Sequence, residues 1–336
     1  MEQRTETAET AREAAHGQRI VVLMPSYDDW ASAAVLIARL HATLRDARFS
    51  IEYLLVDDGS TLEPPSSLAI EGTPSPNVRV LRLRRNLGHQ RAIAVGLTWI
   101  HAHLPCRGVV VMDADGEDTP AGVLKLLERF DREGGRKTIF AARARRTEGI
   151  AFRVFYLFYK IVHRLLTGRA IRVGNFSVIP NEHVNRLVAV SELWNHYAAS
   201  VFKARLPSES VLVDRGYRIA GTSKMNVVSL IIHGLSASAV FAEVIALRLL
   251  VVTFAWALTA LLGVAVVLAL RFWSDLDIPG WATLSTGIFI IIFIQAFSTA
   301  MVFVFLTLQA RSSMGFLPIR DYGYFVDSVN RIRVDG

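Results

Sequence analysis

The sequence predicts an α/β domain on a mostly parallel sheet, followed by interfacial helices and two transmembrane helices. Three observations predict it. Short apolar runs rich in Val, Ile and Leu alternate with helical spacing through the first half of the chain. Two of those runs end directly in acidic turns. Two long uncharged apolar stretches stand near the C-terminus.

The elements follow in order. Residues 1–18 are polar and of mixed charge, with no apolar stretch like that of a signal peptide, so a loose tail is expected through residue 19. Residues 20–24 form an apolar run ended by Pro25, the pattern of a buried parallel strand. Helical spacing occupies 30–44. A second strand at 51–56 runs into Asp57-Asp58-Gly59-Ser60, and a third lies at 78–83. Residues 88–103 are helical in pattern. A fourth strand at 108–112 runs into Asp113-Ala114-Asp115, followed by a helix at 119–130 and a strand at 138–142. Ligands in such sheets bind beyond the carboxyl ends of the strands, where these acids stand.

Beyond the strands, residues 150–168 carry Phe152, Phe155, Tyr156, Tyr159, Val162 and Leu166 on one helical face and Arg153, Lys160 and Arg164 on another. This reads as an interfacial amphipathic helix. From Arg136 to Arg172 there are ten Lys or Arg and one acid, Glu148. Residues 225–247 are apolar but broken by His233, Gly234 and Glu243, so they are expected as further interfacial helices. Residues 249–270 and 282–308 carry no charge and are each long enough to cross a bilayer. Trp273 and Trp281 flank the loop between them as interfacial anchors would. Lys224, Arg248, Arg311 and Arg320 lie outside the pair, against Arg271 alone in the loop. That bias places the N-terminal domain and residues 311–336, expected as a tail, in the cytoplasm of a multi-pass plasma (inner) membrane protein. The resulting partition is 20–224 for the catalytic domain, 225–247 interfacial and 248–310 for the two-helix membrane domain.

Composition agrees. The 336 residues are 52% hydrophobic with a net charge of +7, and mean hydropathy is +0.34. A basic balance suits anionic lipid, phosphorylated substrates or nucleic acid. No nucleic-acid motif supports the last, and the arginines cluster beside the apolar segments. The single cysteine, Cys106, excludes an internal disulfide and a multi-thiolate metal site.

Four constellations carry chemistry. Asp113-Ala114-Asp115-Gly116-Glu117 spaces carboxylates so that they can converge on one hard cation. Mg²⁺ or Mn²⁺ there would neutralise a diphosphate; alone, the motif equally fits a solvated turn. In Val56-Asp57-Asp58-Gly59-Ser60 a carboxylate can accept from a base or ribose, though Asp, Gly and Ser also spell a turn. In Pro25-Ser26-Tyr27-Asp28-Asp29, Tyr27 can stack on a base and Asp29 bind ribose or ring nitrogens, or either Asp can cap a helix. The basic loop 84–88 with His89-Gln90-Arg91 enters a helix and suits phosphate; His89 by itself reads as structural.

Together and in this order, the motifs resemble those of glycosyltransferase family two, whose catalytic domain has the GT-A fold. The chain is most similar to the branch of dolichol-phosphate mannose synthases and bactoprenol glucosyltransferases. The likeness runs on through Arg143-x-x-Arg146, Gly174-Asn175-Phe176 and Arg215-x-x-Arg218-x-x-Gly221-x-Ser223-Lys224 to the two apolar stretches, nearly everything after residue 19. It implies transfer of one sugar from a UDP- or GDP-hexose to a polyprenyl phosphate, with inversion and with Mg²⁺ or Mn²⁺. It further implies that Pro25, Tyr27, Asp29, Asp57, Asp58 and Asp113 bind the nucleotide-sugar, Asp58 holding the nucleobase. Asp113, Asp115, Arg143, Arg146, Arg215, Arg218, Ser223 and Lys224 would carry catalysis, and Asp115 and Glu117 the metal. The implied partners are nucleotide-sugar, polyprenyl phosphate and membrane lipid, with a homo-oligomer left open.

The chain departs from the family's usual Asn-Glu at Asp28-Asp29, from Gln at Glu117 and from Asp at Asn175. The Gln-x-x-Arg-Trp motif of processive synthases is absent, which argues for one sugar per acceptor. Two other readings stay open: a family-two enzyme with another lipid or glycan acceptor, and a non-catalytic membrane scaffold on the same fold.

Overall fold

The computed structural model describes residues 18–65, 67–69, 76–143, 164–168, 173–220, 235–273, 279–312 and 315–335. It divides into two compact units. One holds Met1–Glu148, Ile171–Val240 and Phe316–Gly336; the other holds Gly149–Ala170 and Phe241–Gly315.

The first unit is built on strands β1 (Arg19–Ser26), β2 (Ser50–Asp57), β3 (Ser67–Ala69), β4 (Asn77–Leu83), β5 (Gly108–Val111), β6 (Thr138–Arg143), β7 (Ser177–Pro180), β8 (Ser208–Val213) and β9 (Val326–Asp335). They form one sheet in the order β3-β9-β4-β2-β1-β5-β7-β6-β8. β4, β2, β1 and β5 are mutually parallel, as are β6 and β8. β7 runs against its neighbours β5 and β6, and β9 runs against β4. Helices α1 (Trp30–Leu44), α2 (His89–His103) and α3 (Pro120–Arg132) connect the central strands, and α4 (Asn181–Leu187) and α5 (Tyr197–Lys203) follow β7.

The uniform apolarity of β1 is explained by burial on both faces. Ile20, Val22 and Met24 join Tyr53 and Leu55 under α1 and α3. Val21 and Leu23 alternate with them and join Leu54 and Val56 under α2. α1 buries Ala33, Leu36, Ile37, Leu40 and Leu44, one stripe of a 3.6-residue period. α3 starts where Thr119 caps it by accepting from the Gly122 amide at 3.1 Å, with Pro120 in its first turn. Cys106 is buried at the edge of the α2-side core. Strand order reverses between β1 and β5, so the crevice beyond their carboxyl ends is the place for a ligand. Residues 25–29 and 113–117 both emerge there.

The expected C-terminal tail is corrected. Residues 318–335 form α8 (Pro318–Asp321), a 3₁₀ turn and β9, and β9 is wedged between β3 and β4. Val78 faces Ile332 and Val80 faces Asn330 across that pairing. Trp194, Phe316 and Phe325 pack at tilted angles beside it, with ring centroids 3.8 and 5.0 Å from Trp194.

The second unit contains α6 (Ala242–Trp273) and α7 (Trp281–Ser312), each 32 residues long. Both are apolar and long enough to cross a membrane, and their apolar side chains are largely exposed, as at Phe254 and Phe305. Each starts earlier than its uncharged run, because the flanking turns continue the helix. Gly263 of α6 admits the ring of Phe289 from α7; a Cβ would lie about 2.5 Å from it. In the expected amphipathic segment 150–168, residues 164–167 are helical and 150–163 lie outside the described residues. In 225–247, residues 235–239 are helical and 225–234 lie outside them.

Candidate active site

Three loops meet at the crevice. After β1, Tyr27 is partly exposed. Asp28 takes a left-handed φ of 49°. Its carboxylate accepts from the Thr61 and Leu62 amides at 2.8 and 3.1 Å, which ties this loop to the turn after β2. Asp29 opens α1 through its carbonyl, 3.1 Å from the Ala33 amide, and makes no side-chain cap, so helix capping does not occupy its carboxylate.

The turn after β2 is tied to both neighbouring loops. Asp57 is fully buried, accepts from the Ser60 amide at 2.9 Å and lies 3.6 Å from Arg82 Nε. Asp58 accepts from the Leu87 and Gly88 amides at 2.7 and 2.9 Å. Burial raises its carboxyl above the usual range, against these two amides and the nearby His89. Gly59 needs its φ of 70° here, and a Cβ would sit 2.6 Å from the Arg85 carbonyl carbon. Asp58 therefore anchors the 84–88 loop, a role that the nucleobase-holding expectation did not include.

The acidic turn after β5 binds four different partners. The Asp113 amide donates to Asp118 at 3.1 Å, and Asp113 Oδ1 is 3.2 Å from His89 Nε2. The ring nitrogen of His89 also lies 3.1 Å from Asn175 Nδ2. Packing around the ring opposes its charged form, but Asp113, with Asp118 and Asp58 behind it, outweighs this and raises its pKa. Asp115 accepts from Arg218 Nη2 at 2.6 Å, and Glu117 accepts from Arg215 Nε at 3.1 Å. The backbone reinforces both pairs: the Gly216 amide donates to the Glu117 carbonyl and the Ile219 amide to the Asp115 carbonyl, each at 2.9 Å. Gly116, at φ 88°, lets Ile219 pack against the turn.

The expected convergence of Asp113, Asp115 and Glu117 on one point is corrected. Among the described residues no three His, Cys, Asp or Glu side chains come together as a metal cage. Like charges on adjacent residues repel, and each carboxylate is met by its own nitrogen base. Asp115 and Glu117 still suit Mg²⁺, which takes one or two carboxylates together with phosphate oxygens and water. Burial, then Asp113 and Glu117, raise the Asp115 carboxyl against the Glu117 amide and Arg218.

Of the other expected residues, Arg143 ends β6, and only its backbone is described. Arg146, Ser223 and Lys224 lie outside the described residues. The basic loop divides in function. Gln90 accepts from the Tyr197 amide at 2.9 Å and Arg91 stacks over Trp194, so both serve packing. His89 reaches the acidic turn. Sequence reasoning set His89 aside because its partners Asp113 and Asn175 come from distant segments; its place at the start of a helix after a basic loop was the available signal.

Residues 21–188, half of the chain, match Glycosyl transferase family 2. The uncharacterized glycosyltransferase YkcC of Bacillus subtilis is 24% identical over 273 residues, 78% of this chain and 80% of that protein. The undecaprenyl-phosphate 4-deoxy-4-formamido-L-arabinose transferase of Pseudomonas fluorescens is 33% identical over 118 residues, 34% of this chain and 33% of that protein. The crystal structure of mannosyl-3-phosphoglycerate synthase from Rubrobacter xylanophilus overlays with a TM-score of 0.48 at 18% identity, covering 69% of this chain and 75% of that one.

Proposed function

The chain belongs to glycosyl transferase family 2 and has its GT-A fold, and from that premise we propose that it moves one sugar from a nucleotide-sugar to a polyprenyl phosphate at the cytoplasmic face of the plasma membrane. The observation that carries this reading is the pairing of Arg215 and Arg218 with the acidic turn, in a chain that also has two helices of membrane-spanning length. Cations beside a diphosphate site suit an acceptor that is itself a phosphate. Similarity to undecaprenyl-phosphate sugar transferases supports the acceptor class.

The chemistry needs no strong base. A phosphate monoester is largely dianionic near pH 7 and is its own nucleophile. Its oxygen forms a bond to the anomeric carbon as the bond from that carbon to the donor diphosphate breaks, with inversion. In this reading Tyr27 and Asp29 face the nucleoside, and Asp58 sets the loop beside it. Arg215 and Arg218, with Ser223, Lys224, Arg143 and Arg146 as further candidates, hold the two phosphates close and offset their repulsion. Asp115 and Glu117 are the residues to hold Mg²⁺ or Mn²⁺, which when bound supplies charge neutralisation to the leaving diphosphate.

The test is transfer from labelled UDP-glucose, UDP-GlcNAc, UDP-galactose and GDP-mannose into polyprenyl phosphate in membranes carrying the protein. A singly glycosylated polyprenyl phosphate formed with one donor, and lost in EDTA, is expected. Transfer only to another lipid or a glycan would overturn the acceptor. Full activity in EDTA would overturn the metal.

A further inference from the structure

Arg164, Leu165, Gly168 and Arg248 line a recess of about 330 Å³ made wholly of second-unit residues. We propose that this recess binds the phosphate of a lipid headgroup, through the guanidinium groups of Arg164 and Arg248. The proposal rests on α6 being a membrane span.

Position comes first. Arg248 immediately precedes the uncharged run 249–270 of α6. At 1.5 Å per residue that run covers roughly 33 Å, close to the hydrocarbon thickness of a bilayer. Arg248 therefore stands where hydrocarbon gives way to headgroups. Both arginines are exposed, and among the described residues no carboxylate lines the recess. Leu165 is 69% exposed beside them, which gives the recess an apolar wall next to two cations, as an amphiphile requires.

Preorganisation comes second. Arg248 Nη1 donates to the Leu165 carbonyl at 2.5 Å, at the end of the helical turn 164–167. Gly168 closes that turn at φ 73°, its amide donating to the Arg164 carbonyl at 2.8 Å. A Cβ on Gly168 would collide with the Arg248 guanidinium. Glycine at this position thus permits both the turn and the seating of Arg248. One N–H of that guanidinium is spent on Leu165, and the planar group keeps others in the geometry that phosphate oxygens match. A bulk phospholipid and the prenyl acceptor both present such a phosphate at this depth.

The test uses the full chain in mild detergent, titrated separately with phosphatidylglycerol, phosphatidylcholine and a polyprenyl phosphate, with bound lipid read by native mass spectrometry. Arg164→Gln is the main variant, because its side chain is exposed. Arg248→Lys keeps the charge and a donor for Leu165 but loses the fork. Arg164→Gln is expected to weaken phosphatidylglycerol binding about fivefold, the usual weight of one interfacial basic residue. Weakening confined to polyprenyl phosphate also supports the site and names its source. Unchanged binding of both anionic lipids in both variants overturns the proposal while leaving the membrane reading intact. Release of the full chain from membranes by alkaline carbonate would overturn the membrane reading itself, and this site with it.

Discussion

Asp58→Asn separates two roles that one carboxylate is asked to fill. In the structure Asp58 is 4% exposed and its carboxylate receives the Leu87 and Gly88 amides at 2.7 and 2.9 Å. Asparagine keeps one acceptor oxygen and turns an NH₂ toward a backbone N–H. One charge-assisted bond is lost, at about 1.5–3 kcal/mol, and the other weakens. Removing a buried carboxyl that burial already holds above its usual range returns part of that cost. The net expectation is about 2 kcal/mol of lost stability. For a domain of roughly 150–250 residues this lowers Tm by about 4–8 °C. Nucleotide affinity should fall with it, because the released loop borders the crevice. The assay is a near-UV circular dichroism melt in detergent beside calorimetric titration with UDP and GDP. If Asp58→Asn melts with the parent while nucleotide binding collapses, the carboxylate contacts the base directly and the anchoring argument is refuted.

Three other outcomes follow from the geometry. His89 has a raised pKa through Asp113, so the pair stabilises the fold fully below about pH 6.5 and loses that contribution as pH climbs through the raised value; the Tm gap between the parent and His89→Gln should therefore be wide at pH 6 and narrow at pH 9. Burial pushes the Cys106 thiol up to about 12, so iodoacetamide at pH 8 should leave the native protein unlabelled and modify it fully in denaturant. Ile332 is 8% exposed in β9 and belongs to the core under α1 and α3, so Ile332→Ala should cost about 2–4 kcal/mol by denaturant melt, where a tail residue would cost nothing.

The central strands were legible because a parallel strand buried on both faces is written as an unbroken apolar run, as in residues 20–24. The acidic turns were legible because they sit where those runs stop. β9 was not. Its sequence, Val-Asp-Ser-Val-Asn-Arg-Ile-Arg-Val-Asp, is mostly polar and follows two long apolar helices, so it read as a tail. Its strand state is decided by the edge of β4, which lies in a distant part of the chain. β3, at three residues, is too short to carry a pattern. In the site, residue types were visible but pairings were not. Asp58 bonds backbone amides about thirty residues away, and amides leave no mark in a sequence. Arg215 and Arg218 were visible as cations, whereas the reach of each to Glu117 or Asp115 depends on the turn at Gly116.

The place of β9 also sets an order of manufacture. Val78 and Ile332 face each other although 254 residues separate them (332 − 78). A chain leaving the ribosome builds β4 early and must then deliver both long helices before the strand that covers β4 exists. Until that moment β4 offers an open row of amides and carbonyls, the kind of edge on which chains join one another. Synthesis that halts between Ser312 and Val326 leaves the sheet unfinished, however complete the loops of the crevice are. A finished sheet is thus a receipt for full-length translation: a molecule can close its catalytic unit only after both long helices have been made and the chain has come back from them.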